Sequence, residues 1–267
     1  MKNIFKNFCA LFPVLLLCSC VNTINDNEDA KDDKEYNVLF IGNSFTYYNS
    51  LDSLVHDIAE NIGVKMTTKR YAVGAHSLLE DTNADDSLGS LIQQDLKNKQ
   101  YTDIVLQDKS NFPYNHYNDF KNGVSGMKNI IEENQENARI TIYETWGYNS
   151  ENLTAPIPEM ESTIRANTKM VSRLYSLNIS YVGEAFTYIY ENYSSINLYA
   201  SDNKHPSYVG SYLAGLVFVA TLANVHVTNV NFLGKGITNS ERHVETIDAA
   251  TLDILKNVAE IVVYGNH

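Results

Sequence analysis

Val38-Leu39-Phe40-Ile41 is a run of four apolar residues with no polar alternation, the pattern of a strand buried on both faces. Such a strand needs covering layers above and below it, so the run restricts the chain to a layered α/β arrangement. Gly42 then breaks the run and lets the chain turn as it leaves the sheet. Ser44 follows at the carboxyl end of the strand, the edge where ligand sites collect in open α/β sheets. A hydroxyl there, among backbone N–H groups that no ladder claims, has what a nucleophile needs. Asn43 and Ser44 are also ordinary turn and N-cap residues, so the triplet acquires meaning only from the rest of the chain.

Downstream, strand-like runs alternate with segments of helical period, which implies a parallel sheet with helices on both faces. Leu51, Leu54, Val55, Ile58 and Ile62 fall on one helical face, closed by Gly63. Lys65 to Ala72 reads as the second strand, Ile104 to Leu106 as the third, Arg139 to Tyr143 as the fourth and Ile179 to Val182 as the fifth. Helices are expected over Ser87–Asn98, Asp119–Glu133, Glu159–Leu177, Phe186–Tyr193 and Ile247–Val262, with a loop over 149–158. Tyr208 to Ala223 is apolar all round and predicts a buried helix. No internal repeat and no second domain are visible. The strand exits fall near residues 43, 73, 107, 144 and 183, on one edge of the sheet.

The first residues do not belong to this pattern. Lys2 and Lys6 precede an apolar stretch, Ala10 to Leu17, far too short to span a bilayer, and Leu17-Cys18-Ser19-Cys20 closes it like a bacterial lipobox. Residues 1–19 are therefore expected to be a lipoprotein signal peptide, with acylation at Cys20. Residues 20–35 read as an acidic tether, and 36–267 as the folded domain. This implies anchoring in a bacterial cell envelope, facing the periplasm or the outer-membrane surface. All three cysteines precede the domain, which therefore has neither disulfide nor thiolate chemistry. The net charge of −12 and the lack of a Lys/Arg cluster exclude nucleic acid as the expected partner.

Near the far end stands Asp202-Asn203-Lys204-His205-Pro206-Ser207, just ahead of the apolar helix. Together with Gly42-Asn43-Ser44-Phe45 it resembles the SGNH (GDSL-like) hydrolase superfamily over about residues 36 to 225, the two end blocks being the specific part. The resemblance implies a three-layer, flavodoxin-like fold with a central parallel five-stranded sheet. It implies a triad of Ser44, His205 and Asp202: the hydroxyl attacks, the imidazole takes its proton, and the carboxylate fixes the imidazole. It also implies an oxyanion hole made by the Ser44 N–H, the Gly74 N–H and a side-chain amide. The family's Gly-x-Asn-Asp block is missing, and Leu106-Gln107-Asp108-Lys109-Ser110-Asn111 stands in its place. Gln107 or Asn111 can supply that amide, and position 107, next to the sheet edge, is the first expectation.

Of seven histidines, only His205 has a carboxylate at this spacing in such a position, and no zinc or calcium spacing appears, so neither metal nor cofactor is expected. Aromatic residues gather at the strand exits, with Tyr47, Trp146 and Tyr148 the expected substrate-binding rings. The resulting expectation is an esterase that removes acetyl or other short acyl groups from a glycan. The alternative is a surface glycan-binding protein that keeps the scaffold without turnover. A lipase or thioesterase would need an apolar acyl channel that these polar strand exits do not suggest.

Overall fold

The computed structural model describes residues 34–149, 157–237 and 244–265. The expected signal peptide, the acylation at Cys20 and all but the end of the tether lie outside the described residues, as does most of the 149–158 loop.

The Val38–Ile41 run forms the middle of β1 (Glu35–Gly42), and all four side chains are fully buried. Alternate residues point to opposite faces, so Val38 and Phe40 enter one core while Leu39 and Ile41 enter the other. The chain continues through α1 (Ser44–Tyr47), a 3₁₀ turn (Tyr48–Ser50), α2 (Leu51–Asn61), β2 (Lys65–Ala72), α3 (Leu78–Asp81), α4 (Ser87–Asn98) and β3 (Asp103–Leu106). Next come α5 (Phe112–Asn115), α6 (Tyr117–Asn134), β4 (Arg139–Tyr143), α7 (Ile157–Tyr175), β5 (Asn178–Ser180), α8 (Val182–Asn192) and α9 (Tyr208–Ala223). A two-stranded antiparallel pair, β6 (Gly234–Ile237) and β7 (Val244–Thr246), precedes α10 (Ala249–Tyr264).

The five long-range strands pair in parallel in the order β2-β1-β3-β4-β5. Chain order reverses between β1 and β3, so the loops leaving those strands diverge and open a crevice at their carboxyl ends. Residues of α2, α8, α9 and α10 pack on the Val38/Phe40 face, and those of α4 and α6 on the Leu39/Ile41 face. As expected, α9 is buried on nearly every side. No described helix is long and apolar enough to cross a membrane.

The helix following β5 starts at Val182, ahead of the expected Phe186, and β5 ends at Ser180. The reason is a tertiary cap. Gly183 N–H donates to the Glu144 carbonyl at 3.1 Å and Glu184 N–H to Glu144 Oε1 at 3.1 Å, so the residue just after β4 supplies what a capping residue normally would. Burial pushes the Glu144 carboxyl well above the usual carboxylate range; Glu161 adds to this and Arg165, which clamps Glu161 at 2.8 and 2.6 Å, opposes it. The short α3 is an additional element, held by a Ser77/Glu80 capping box.

Candidate active site

Three strand exits are stitched together around Ser44. Gly42 lies so close to them that a Cβ there would stand 2.4 Å from Thr46 Oγ1 and 2.7 Å from Gln107 Oε1. Asn43 caps α1, its Oδ1 accepting from Phe45 N–H at 3.4 Å. Its Nδ2 donates to the carbonyls of His76 (3.0 Å) and Asp108 (3.2 Å), which ties the exits of β2 and β3 to that of β1. Ser44 is thereby set at the first position of α1.

His205 arrives on a tight turn between Tyr199 and Pro206, which pair in an isolated antiparallel bridge. Ala200 N–H donates to the His205 carbonyl at 2.8 Å, and Asn203 takes the left-handed conformation (φ 54°) that Asn tolerates. Asp202 Oδ1 accepts from the backbone N–H groups of Lys204 (3.1 Å) and His205 (3.0 Å), leaving Oδ2 2.5 Å from His205 Nδ1. On the other side of the ring, His205 Nε2 stands 2.8 Å from Ser44 Oγ. Burial pushes the Asp202 carboxyl up, but the bonds from His205 and from the two backbone N–H groups outweigh it and hold the group below its ordinary value. An ionised Asp202 places the proton on Nδ1, so Nε2 is the acceptor for the serine hydroxyl. The arrangement can therefore take a proton from Ser44 and return it to a leaving group.

Two rings hold the imidazole in place, and two further side chains brace the backbone around it. Tyr48 stacks on it with centroids 4.2 Å apart and planes 7° from parallel, while Phe45 meets it edge-on at 5.6 Å. Asn49, in a left-handed conformation (φ 51°), donates from Nδ2 to the carbonyls of Pro206 and Ser207 at 3.1 Å each and to Ser211 Oγ at 2.8 Å. Trp146 Nε1 donates to the Lys204 carbonyl at 3.0 Å.

Ser44 opens on a cavity of about 280 Å³ lined by Asn43, Tyr47, Tyr48, Gly74, Ala75, Lys109, Ser110, Asn111, Lys204 and His205. Among the described residues, the backbone N–H groups of Ser44 and Gly74 have no acceptor. Asn111 Nδ2 spends one hydrogen on Asn115 Oδ1 at 3.2 Å and has a second to offer.

Three expectations are corrected here. Gln107 is fully buried and outside the cavity: its Oε1 accepts from Asn43 N–H and Thr46 Oγ1 at 2.9 Å each, and its Nε2 donates to the Asp108 carbonyl. It braces the turn that carries Ser44 from outside the cavity, whereas Asn111 lines the cavity with an amide hydrogen to offer. Trp146 is fully buried between Phe45 (4.4 Å) and Phe186 (4.1 Å), both nearly parallel to it. Tyr148 is buried too, with its hydroxyl 3.0 Å from Ser110 Oγ. Neither ring faces a substrate; of the three only Tyr47 lines the cavity. Tyr48, one of the aromatic residues at the strand exits, packs on the imidazole; Asn49, Lys109 and Lys204 were not singled out from the sequence, and no local pattern distinguishes them.

Elsewhere, His56, Asp57 and Glu60 bring ligand atoms within 4.8 Å of one another. His56 Nδ1 is already 2.6 Å from the Met66 carbonyl and Asp57 pairs with Lys235 at 2.6 Å, so the group is committed to internal contacts.

Beneath the cavity, Asp108 accepts from the N–H groups of Leu78 (2.9 Å) and Lys109 (2.7 Å). Burial pushes its carboxyl up to about 7, against those bonds, with Asp81 and Asp119 adding to the rise. Burial likewise takes Asp81 to about 6, against the pull of His76 at 2.8 Å. A carboxyl whose pKa is raised on folding stabilises the fold fully below its unfolded value of ~3.9 and loses that contribution as pH rises through the folded value. Resistance to urea should therefore fall between pH 5 and pH 8. Asp108→Asn, which keeps an acceptor for both N–H groups, should flatten that fall; an unchanged slope would show that Asp108 does not titrate in this range.

No family model matches the sequence, and no curated protein does. Solved structures do match in fold. A candidate SGNH hydrolase from Slackia heliotrinireducens superposes with a TM-score of 0.61 at 24% identity, covering 71% of this chain and 100% of its own. A DUF4886 family protein from Bacteroides uniformis reaches 0.73 at 18% identity, covering 88% and 97%. A lipase/acylhydrolase from Enterococcus faecalis reaches 0.53 at 13% identity, covering 71% and 96%. The chain has the SGNH-hydrolase fold. In this chain Ser44, Gly74 and His205 line one cavity.

Proposed function

We propose that the chain is a serine esterase that removes acetyl or other short acyl groups from a carbohydrate. The relay Ser44 Oγ–His205 Nε2 at 2.8 Å and His205 Nδ1–Asp202 Oδ2 at 2.5 Å carries this reading. Ser44 Oγ attacks the ester carbonyl as His205 takes its proton. The tetrahedral oxyanion is met by the N–H groups of Ser44 and Gly74 and the Asn111 amide. His205 then protonates the departing sugar alkoxide, leaving an acyl-Ser44. Water then attacks the acyl carbonyl as His205 takes its proton, and His205 passes that proton to Ser44 Oγ as the bond to the acyl group breaks and the carboxylic acid leaves. A cavity of about 280 Å³ suits a short acyl group and part of one sugar ring, and several polar side chains line it, with Tyr47 as the ring available to stack on a sugar face.

A fluorophosphonate probe should label Ser44, and nitrophenyl esters should be turned over with a steep preference for acetate over decanoate. An unlabelled serine would instead favour a glycan-binding protein with an idle relay. Asn111→Ala should lower kcat by about 10²–10³-fold with KM little changed, because the charge its amide meets exists only in the transition state. An unchanged kcat would leave the hole to backbone N–H groups alone.

The same proposal places the protein in a bacterial cell envelope, held by acyl chains on Cys20, a reading supported by the Leu17–Cys20 sequence. Cys20→Ser should move the protein from the membrane fraction to the soluble one.

A further inference from the structure

The chain carries 32 acidic against 20 basic residues, yet the Ser44 cavity is lined by two lysines, Lys109 and Lys204, and by no carboxylate. Several lysines elsewhere are paired within the fold: Lys69, Lys235 and Lys256 reach carboxylates at 2.9, 2.6 and 2.8 Å. Lys109 and Lys204 have no carboxylate at ion-pair distance among the described residues. Their ammonium groups lie instead over the rings of Phe112 (5.5 Å) and Tyr148 (5.1 Å). Asp202, the carboxylate nearest in sequence to Lys204, is spent on His205 and on two backbone N–H groups. Burial lowers the pKa of Lys204; Asp202 opposes the shift and the charge on Lys109 adds to it, so the two cations feel each other.

Two like charges partly withdrawn from water, with no carboxylate at ion-pair distance, cost stability, and a ligand bearing the opposite charge relieves that cost. We propose that Lys109 and Lys204 select an anionic substrate: an O-acylated sugar carrying a negative charge, such as a carboxylate, beside the ester. The proposal rests on the esterase reading and adds the substrate's charge to it. Lysine is a compact point charge, so it recognises the anion rather than the plane of one particular group. Sulfated and carboxylated sugars share that chemistry, and their relative rates distinguish the source of the charge.

The test compares acetylated methyl glucuronoside with acetylated methyl glucoside, and adds an acetylated sulfo-sugar as a third arm. The acid form should be preferred in kcat/KM by about tenfold per lysine engaged, the usual size of a hydrogen bond to a charged group. Lys109→Gln with Lys204→Gln should bring the ratio towards one, Lys109→Glu should push it below one, and Lys109→Arg with Lys204→Arg should keep it. Equal rates on charged and neutral esters, or a preference that survives the double Gln variant, would overturn the proposal. If no ester is hydrolysed at all, the esterase reading fails, and charge selection is read separately from binding. Calorimetry of Ser44→Ala with methyl glucuronoside and methyl glucoside then supports the proposal if only the acid binds and the double Gln change abolishes it. Binding of neither sugar, or of both alike, overturns it.

Discussion

Ser44→Ala and His205→Ala are each expected to lower kcat on an activated ester by about 10⁴–10⁶-fold, with the double variant scarcely worse than either single one. The geometry sets this expectation. Ser44 Oγ has a base within 2.8 Å, and that base has its other nitrogen committed to Asp202 at 2.5 Å. Removing the hydroxyl removes the nucleophile, and removing the imidazole leaves a hydroxyl whose proton has nowhere to go. Either loss disables the same step, so the second has little left to remove. Residual turnover would come from the N–H groups of Ser44 and Gly74 and the Asn111 amide polarising the bound ester. Circular dichroism and the thermal midpoint should stay close to those of the parent. A double variant slower than both single variants by a further large factor would mean that Ser44 and His205 do not act as one unit.

Trp146→Ala should cost about 3–5 kcal/mol of stability, a fall in Tm of roughly 10 °C for a domain of this size. The indole is fully buried and sandwiched between Phe45 of α1 and Phe186 of α8. Deleting it opens a cavity that rings on both sides cannot close. The loss should also reach the site, because Trp146 Nε1 holds the Lys204 carbonyl one residue before His205. Trp146→Phe, which keeps most of the apolar bulk and loses the N–H, should therefore lower kcat more than its smaller destabilisation suggests. A Trp146→Ala protein of unchanged Tm but raised KM for sugar esters would restore the expectation that this ring is a substrate platform.

That contrast shows where local sequence is informative and where it is not. The Val38–Ile41 run could only be a strand covered on both faces, and Tyr208–Ala223, with no polar face, could only be a helix enclosed by neighbours. Gly42 and Ser44 mark a strand exit because glycine ends the apolar run and frees the turn. The spacing of Asp202 and His205 lets one short turn join carboxylate to imidazole. Each of these is encoded within a few consecutive residues, by period, by turn chemistry or by the reach of a side chain.

Other assignments depended on partners far away in the chain. Gln107 leaves the sheet beside Ser44, yet its amide is claimed by Asn43, Thr46 and Asp108. The start of α8 is capped by Glu144, from the exit of β4. Trp146 and Tyr148 sit at a strand exit like Tyr47, but only Tyr47 reaches the cavity. Strand, turn and helix were legible in the sequence because backbone conformation and periodic burial are set locally. Which amide is free, which ring is covered and which lysine has no carboxylate at ion-pair distance were settled only by folding, because a side chain's hydrogen-bond and charge partners are chosen by proximity in space.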